Sequence, residues 1–389
     1  MSIRQEASIA GAYEHPTREA PDRSTPQLHA EVAAGALEDA GLSLDDVDGF
    51  VTAEGPGVLS LADYLGLDGL SYVGSTDIGG SSYVAHVGHA AAAIAAGKCD
   101  VVLVTLAGRP RSRTADAGHP RRDFPGQAPE TGFEDVFGTS IVGTYALAAR
   151  RHMHEYGTTP EQLAAIRVAA SEHAQHNDHA MFQDPVTVED VVGSRMVSDP
   201  LHLMDCCVIS DGGGALVVVS PEVASSLDRE CVEVLGHGEA PKHHDAGRID
   251  LTFTGARWSG PRAFEEAGLG PGDVDYASIY DSFTITVLEA IEDLGFCAKG
   301  EGGRFVEGGT LQAPDGELPF NTDGGGLCNN HPANRGGMTK VIEAVRQLRG
   351  EANPEVQVPD CGVALAHGTG GSLGTRHGAA TLLLGGDRR

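Results

Sequence analysis

ALEDAGLSLDDVD, residues 36–48, and AFEEAGLGPGDVD, residues 263–275, read as one element written twice. Laid side by side without gaps, Ala36, Glu38, Ala40, Gly41, Leu42, Asp46, Val47 and Asp48 match Ala263, Glu265, Ala267, Gly268, Leu269, Asp273, Val274 and Asp275. Such density at one fixed offset marks an internal duplication. The first copy ends the amphipathic stretch Leu28–Gly41 on a glycine, a helix stop, and runs into a short strand. The flanks repeat as well. After the first copy come the loop STDIGGSS (Ser75–Ser82), an alanine-rich helix to Gly97 and the apolar strand Asp100–Leu106. After the second come the glycine loop NTDGGGLCNNHPANRGG (Asn321–Gly337), a helix to Gly350 and the strand Cys361–Gly368. Strand and helix alternate in each half, which predicts a mostly parallel sheet covered by helices and, with two halves, a layered α/β sandwich. We divide the chain into an N-terminal half, 1–245, with a loop insertion at 109–138, and a C-terminal half, 246–389. The stretch Gly236–Trp258, where they join, reads as irregular.

A chain of 389 residues is long enough for two domains or one large duplicated domain. It contains no apolar run of about 18 residues, and its start, MSIRQEASIAG, lacks the apolar region of an export signal, so a cytoplasmic location is expected. A formal net charge of -28 repels nucleic acid and anionic membrane. Only Lys98, Lys242, Lys299 and Lys340 are lysines. Abundant carboxylate with little lysine suits a high-salt cytoplasm, where screening relieves self-repulsion. Unfolding midpoints are therefore expected to rise from low to multimolar salt, and a flat profile would refute salt adaptation. The seven cysteines lack CxxC spacing, which argues against a disulfide framework or zinc ribbon. Cys206 and Cys207, in MDCCVISDGGGALVVVS, read as small hydrophobes in a buried strand.

Several signatures are missing. There is no GxxxxGK[ST] loop and no GxGxxG after a strand. GGSLG (Gly370–Gly374) matches GxSxG, but a strand pattern follows it, whereas a nucleophile elbow leads into a helix. His152, His154, His173, His176, His179, His243 and His244 lie in clusters without an HExxH or cysteine frame, and we read them as surface or loop residues with no metal. Arg109, Arg111, Arg113, Arg121 and Arg122 crowd the insertion, where they suit either phosphate binding or a solvated interface loop. Three further elements sit at strand ends or helix starts, where open α/β sheets place ligands. They are YDSFTI (Tyr280–Ile285), GGGLCNNHP with His331, and AHGTGGSLG (Ala366–Gly374) with His367. Together they predict one site holding a phenol and two imidazoles.

At these residues the chain resembles the thiolase superfamily, most closely its sterol-carrier-protein-type branch. The resemblance spans nearly the whole chain and is carried by SDPLHLMDCCVISDGGGALVVVS, YDSFTITVLEAIEDLGFC, GGGLCNNHP and HGTGG. It implies a duplicated, layered αβαβα sandwich, usually a homodimer, acting on acyl-CoA, with the coenzyme A thioester as substrate and no permanently bound cofactor. One departure decides the chemistry. The family's nucleophilic cysteine falls at Gly80, beside Gly79 and Ser81, and the loop contains no cysteine. Without a covalent relay, a retro-aldol reaction remains, as in thiolase-fold aldolases that work with a small zinc-ribbon/OB-fold partner protein. The resemblance assigns His331 as thioester-oxygen donor or base and Tyr280 as proton-transfer partner, with His367, Gly370, Gly80 and Ser81 lining the oxyanion pocket. Two alternatives stay open: an acetyl-CoA C-acyltransferase using Cys328 or Ser81 as nucleophile, and a non-catalytic acyl-CoA-binding or scaffold subunit.

Overall fold

A computed structural model describes residues 2–53, 56–113, 140–242, 249–332, 336–371, 373 and 377–386. The two copies of the repeat fold alike down to single hydrogen bonds. Helices Thr25–Ala40 and Ala256–Ala267 both end on left-handed glycines, Gly41 at φ 70° and Gly268 at φ 67°, a conformation in which a Cβ would clash. A 3-10 turn follows each, and Asp46 accepts from the Ser43 N–H as Asp273 does from Gly270 N–H, both at 2.8 Å. Asp48 then ties down the backbone N–H groups of Asp100 and Val101, while Asp275 ties down those of Gly362 and Val363. The matched acids thus carry the same local bonds in both copies.

The strands in chain order are β1 (Ser8–Glu14), β2 (Gly49–Val51), β3 (Tyr72–Gly74), β4 (Val101–Gly108), β5 (Met196–Ser198), β6 (Leu201–His202), β7 (Gly212–Val219), β8 (Val232–Lys242), β9 (Tyr276–Ile279), β10 (Val363–Gly371) and β11 (His377–Gly385). β5 and β6 form a small ribbon, and the others one sheet in the order β3-β2-β4-β7-β1-β8-β11-β10-β9. The runs β2-β4-β7-β1 and β9-β10-β11-β8 are equivalent, each with one parallel pairing followed by two antiparallel ones. They meet where β1 pairs with β8 at Ser8–Glu233 and Ile9–Val232. The sheet is therefore mixed, not mostly parallel. β7 and β11 are buried on both faces, so their unbroken apolar runs record burial and carry no information on strand direction.

β8 corrects a second expectation, because Gly236–Lys242 is strand. Its glycines hide the pattern for a packing reason: a Cβ at Gly236 would lie 2.3 Å from Ala263 O, and one at Gly238 2.1 Å from Ser259 O, on the overlying helix. In this strand order β8 is the counterpart of β1.

Core packing sets the layers. Val84 and Val87 of helix Ser82–Ala95 and Met338, Val341 and Val345 of helix Gly337–Arg349 share one core with Val102 and Leu216 of one half and Ala364, Ala366 and Leu382 of the other. These helices form the central layer. On the outer face of the N-terminal half, Leu103 and Val217 pack against Val32 and Leu37 of helix Thr25–Ala40. On that of the C-terminal half, Leu365 and Leu383 pack against Phe264, Ile285 and Leu288. The order is αβαβα. No helix among the described residues is long and apolar enough to cross a membrane.

Candidate active site

Tyr280 follows β9 directly and its side chain turns toward the central layer. Its hydroxyl lies 2.7 Å from His331 Nε2, with ring centroids 5.4 Å apart. Both side chains are buried. Burial raises the Tyr280 phenol well above its ordinary value, and nearby Cys207 and Tyr145 add to the effect. Burial pushes the His331 imidazole down to about 4, against the opposing charge of Asp281 and with the help of Lys340. The pair is thus a neutral phenol against a neutral imidazole. His331 Nδ1 has no hydrogen-bond partner.

The glycine loop that presents His331 is held from several sides. The Asn321 side-chain amide pairs with β9, accepting from Ile279 N–H and donating to Ile279 O. Asp281 accepts from Gly326 N–H at 2.8 Å and Leu327 N–H at 3.0 Å, and forms an ion pair with buried Lys340 at 2.9 Å. Gly325 is required in this π-helical turn, since at φ 61° a Cβ would lie 2.1 Å from Asp281 Oδ2. The His331 N–H donates to Ser210 Oγ, Ser210 donates to Asn330 Oδ1, and Asn330 donates to Glu14 Oε1. Glu14 itself lies between Arg18 and Arg346. Burial raises its carboxyl pKa, but the two guanidinium groups and Asn330 outweigh that and hold it at about 2. Sequence pattern alone marks none of Glu14, Ser210, Asp281 or Lys340 as a site residue. Asp281 has a local signal inside YDSF and Ser210 one inside MDCCVISDGGG; Glu14 is more than 300 residues from the loop it braces.

Gly80 stands against Tyr280. A Cβ there would lie 2.3 Å from Thr369 O and 2.5 and 2.6 Å from Tyr280 Cζ and Cε2. The phenol ring therefore fills the space that a side chain at position 80 would need. Gly370 closes the other side of this loop, where its own Cβ would lie 2.0 Å from Ile78 O. Ser81 is buried and donates its hydroxyl to Ile78 O at 2.7 Å, so it is tied into its own turn. Cys328 lies in the outer core, and burial pushes its thiol up to about 12. All seven cysteines are free, and Cys206 and Cys207 follow the 3-10 turn Leu203–Asp205 rather than lying in a strand.

His367 does not join the pair. Ala364 and Ala366 face the central helices while Leu365 faces outward, so alternation turns His367 outward too. There its Nδ1 meets Thr381 Oγ1 at 2.9 Å, and Thr381 meets Ser259 of the outer helix. Its backbone still contributes, as His367 O accepts from Tyr280 N–H at 2.9 Å. Two of the clustered histidines read as surface residues are buried: His152 bonds Thr158 and Glu292, and His173 accepts from Ala313 N–H. His154 and His179 are exposed. Arg109 donates to Pro21 O and Arg111 pairs loosely with Glu19; Arg121, Arg122, His243 and His244 lie outside the described residues.

Comparison with known proteins identifies the family and the fold. Residues 238–385 match the family described as Thiolase C-terminal domain-like. An acetyl-CoA acetyltransferase of Methanothermobacter thermautotrophicus is 34% identical over 383 residues, covering 95% of this chain and 98% of the relative. A steroid side-chain-cleaving aldolase of Thermomonospora curvata is 36% identical over 357 residues, covering 88% and 90%. A solved structure described as an Ltp2-ChsH2(DUF35) aldolase superposes with a TM-score of 0.88 at 32% identity, covering 100% of both chains. The chain belongs to the thiolase superfamily, in the branch of sterol-carrier-protein-type thiolases and thiolase-fold aldolases.

Proposed function

We propose that this protein makes or breaks a carbon–carbon bond next to a coenzyme A thioester by noncovalent aldol chemistry. The observation that carries this reading is the contact between Gly80 and Tyr280: the nucleophile's place has no side chain, and a phenol ring occupies the space. In the cleavage direction the substrate is a β-hydroxyacyl thioester. Its hydroxyl proton passes to the Tyr280 oxygen as the phenol proton passes to His331 Nε2. The alkoxide electrons form the new C=O, and the Cα–Cβ pair moves onto Cα and the thioester oxygen. Backbone N–H groups of the Gly80–Ser81 loop, at the start of helix Ser82–Ala95, suit that oxyanion. Cα then recovers a proton from the pair, which leaves a shorter acyl thioester and a ketone or aldehyde. His331 carries the base role; His367 acts through its backbone alone. Acyl transfer through Ser81 or Cys328 has less support, because one is tied into its turn and the other is a buried neutral thiol.

We place the enzyme in the cytoplasm as a homodimer with a small zinc-ribbon/OB-fold partner subunit, by analogy with the two-protein description of the similar aldolase. The test is turnover of β-hydroxyacyl-CoA by the complex, read as release of carbonyl product and shorter acyl-CoA. Tyr280→Phe and His331→Ala are each expected to lower kcat by roughly 10²–10⁴-fold, and the double variant to lose little more, because the two act as a unit. A stable acyl adduct in the intact mass of the wild type, or full turnover by either variant, would refute the reading.

A further inference from the structure

On the outer face of the C-terminal half, the end of the sheet beside the catalytic loops carries polar side chains with nothing to bond. Strand register sets Gly371, His377 and Lys242 in one row across β10, β11 and β8. A second row holds Thr369, Ala379 and Ala240, and a third His367, Thr381 and Gly238. Alternation points these side chains outward, the side on which Thr381 meets Ser259. Glu289, on helix Thr284–Leu294 of the outer layer, interacts electrostatically with both Lys242 and Tyr145. Tyr145 donates to Gly371 O at 3.1 Å, bonds Ser282, and stacks on Phe283 with ring centroids 4.4 Å apart. It thus joins this region to the segment that carries Tyr280.

Six side-chain atoms here lack a hydrogen bond among the described residues: both carboxyl oxygens of Glu289, both ring nitrogens of His377, His367 Nε2 and Thr369 Oγ1. Besides burial, Lys242 and His367 disfavour charge on the His377 ring, and a contact with the Gly370 backbone, which falls short of a formed bond, favours it. All four residues are at most 1% exposed. So many unpaired groups in one interior region are costly unless something hydrogen-bonds to them. The two lysines nearby already have partners among the described residues. Lys299 pairs with Glu292 at 3.0 Å and Asp293 at 2.7 Å. Lys242 donates to the carbonyls of Asp250 and Phe253 and lies 4.2 Å from the Phe253 ring centroid. Burial raises the Glu289 carboxyl pKa well above its ordinary value, against the pull of Lys299 and Lys242, and pushes the His367 and His377 rings down to about 3. What remains is a set of buried donors and acceptors without partners among the described residues. Its donors and acceptors suit an alcohol or a ketone.

We propose that this region is an acyl-group subsite, in which an uncharged oxygen function of the substrate, a hydroxyl or ketone away from the bond that breaks, hydrogen-bonds to Glu289 and His377. This rests on the acyl-thioester reading above and adds a substrate class to it. The test measures binding, so it does not depend on turnover. Calorimetry on the full chain with its partner compares decanoyl-CoA with its hydroxydecanoyl and oxodecanoyl isomers, oxygenated at successive positions beyond the β carbon. At least one isomer is expected to bind tenfold or more tighter than decanoyl-CoA. Glu289→Gln, which keeps a donor and an acceptor, is expected to retain that preference, and Glu289→Leu to remove or reverse it. His377→Leu supplies the same readout should Glu289→Leu fail to fold. Equal affinity across the panel would mean that the region holds water alone and would overturn the subsite, as would a preference untouched by Glu289→Leu and His377→Leu. A preserved preference without carbon–carbon cleavage would instead overturn the aldol chemistry and leave the subsite standing.

Discussion

Restoring the cysteine at position 80 is expected to damage the protein without restoring a nucleophile. In Gly80→Cys, the new Cβ meets the Tyr280 ring at 2.5 Å and the Thr369 carbonyl at 2.3 Å. Overpacking of a tight core costs about 1–3 kcal/mol, and contact with a strand carbonyl places this site at or above the upper end. The denaturant midpoint should fall accordingly, and turnover should drop because displacement of Tyr280 breaks its 2.7 Å contact with His331. Intact mass after incubation with acyl-CoA should show no adduct. Removing the ring as well, in Gly80→Cys with Tyr280→Ala, relieves only one of the two collisions, since Thr369 belongs to β10 and cannot swing aside as a side chain would. A Gly80→Cys variant as stable as the wild type, or one that accumulates an acyl adduct, would disprove this account of the site.

Acid should unfold the protein well before its carboxylates are exhausted. His29, His173, His237 and His331 are pushed by burial to about 4, and His367 and His377 to about 3, from an ordinary 6.5. Folded-state values below the unfolded ones mean that, between about pH 6.5 and 4, the unfolded chain binds protons the fold refuses. Stability is then complete above 6.5 and is lost as pH falls, at about 1.4 kcal/mol per pH unit for each histidine. Glu172, Asp205, Glu289, Asp293 and Glu343 work in reverse, because burial raises their carboxyl pKa values. These carboxyls offset part of the histidine loss, while Glu14, held at about 2, adds to it. Denaturant midpoints measured from pH 7 to 4, in about 1 M salt to screen the acidic surface, should fall steeply. A flat profile would show that these imidazoles are not held neutral.

Much of the fold was legible because its signals are local. Glycine at a helix end, an acid three residues after a turn residue and an acid at the mouth of a strand each act within a few bonds of their own position. The repeat therefore stands out at Gly41 and Gly268 and at Asp48 and Asp275. Strand direction was not legible, because β7 and β11 are apolar on both faces and read the same either way. β8 was hidden because its glycines serve a helix that follows it in the chain.

The site divides along the same line. Sequence by itself determined the duplicated α/β plan, the absence of a cysteine at position 80 and the identity of the Tyr280 and His331 loops, since each is a property of residues read in order. Tertiary structure alone decided what faces what. Tyr280 fills the space beside Gly80 because β9 and the 79–81 turn come from opposite halves of the molecule. His367 turns away because alternation along β10 assigns faces only once the central helices mark which face is inward. Glu14 steadies His331 because folding brings β1 beside a loop that the chain reaches only near its end. Contacts between distant segments depend on packing geometry, and the linear order of residues does not contain it.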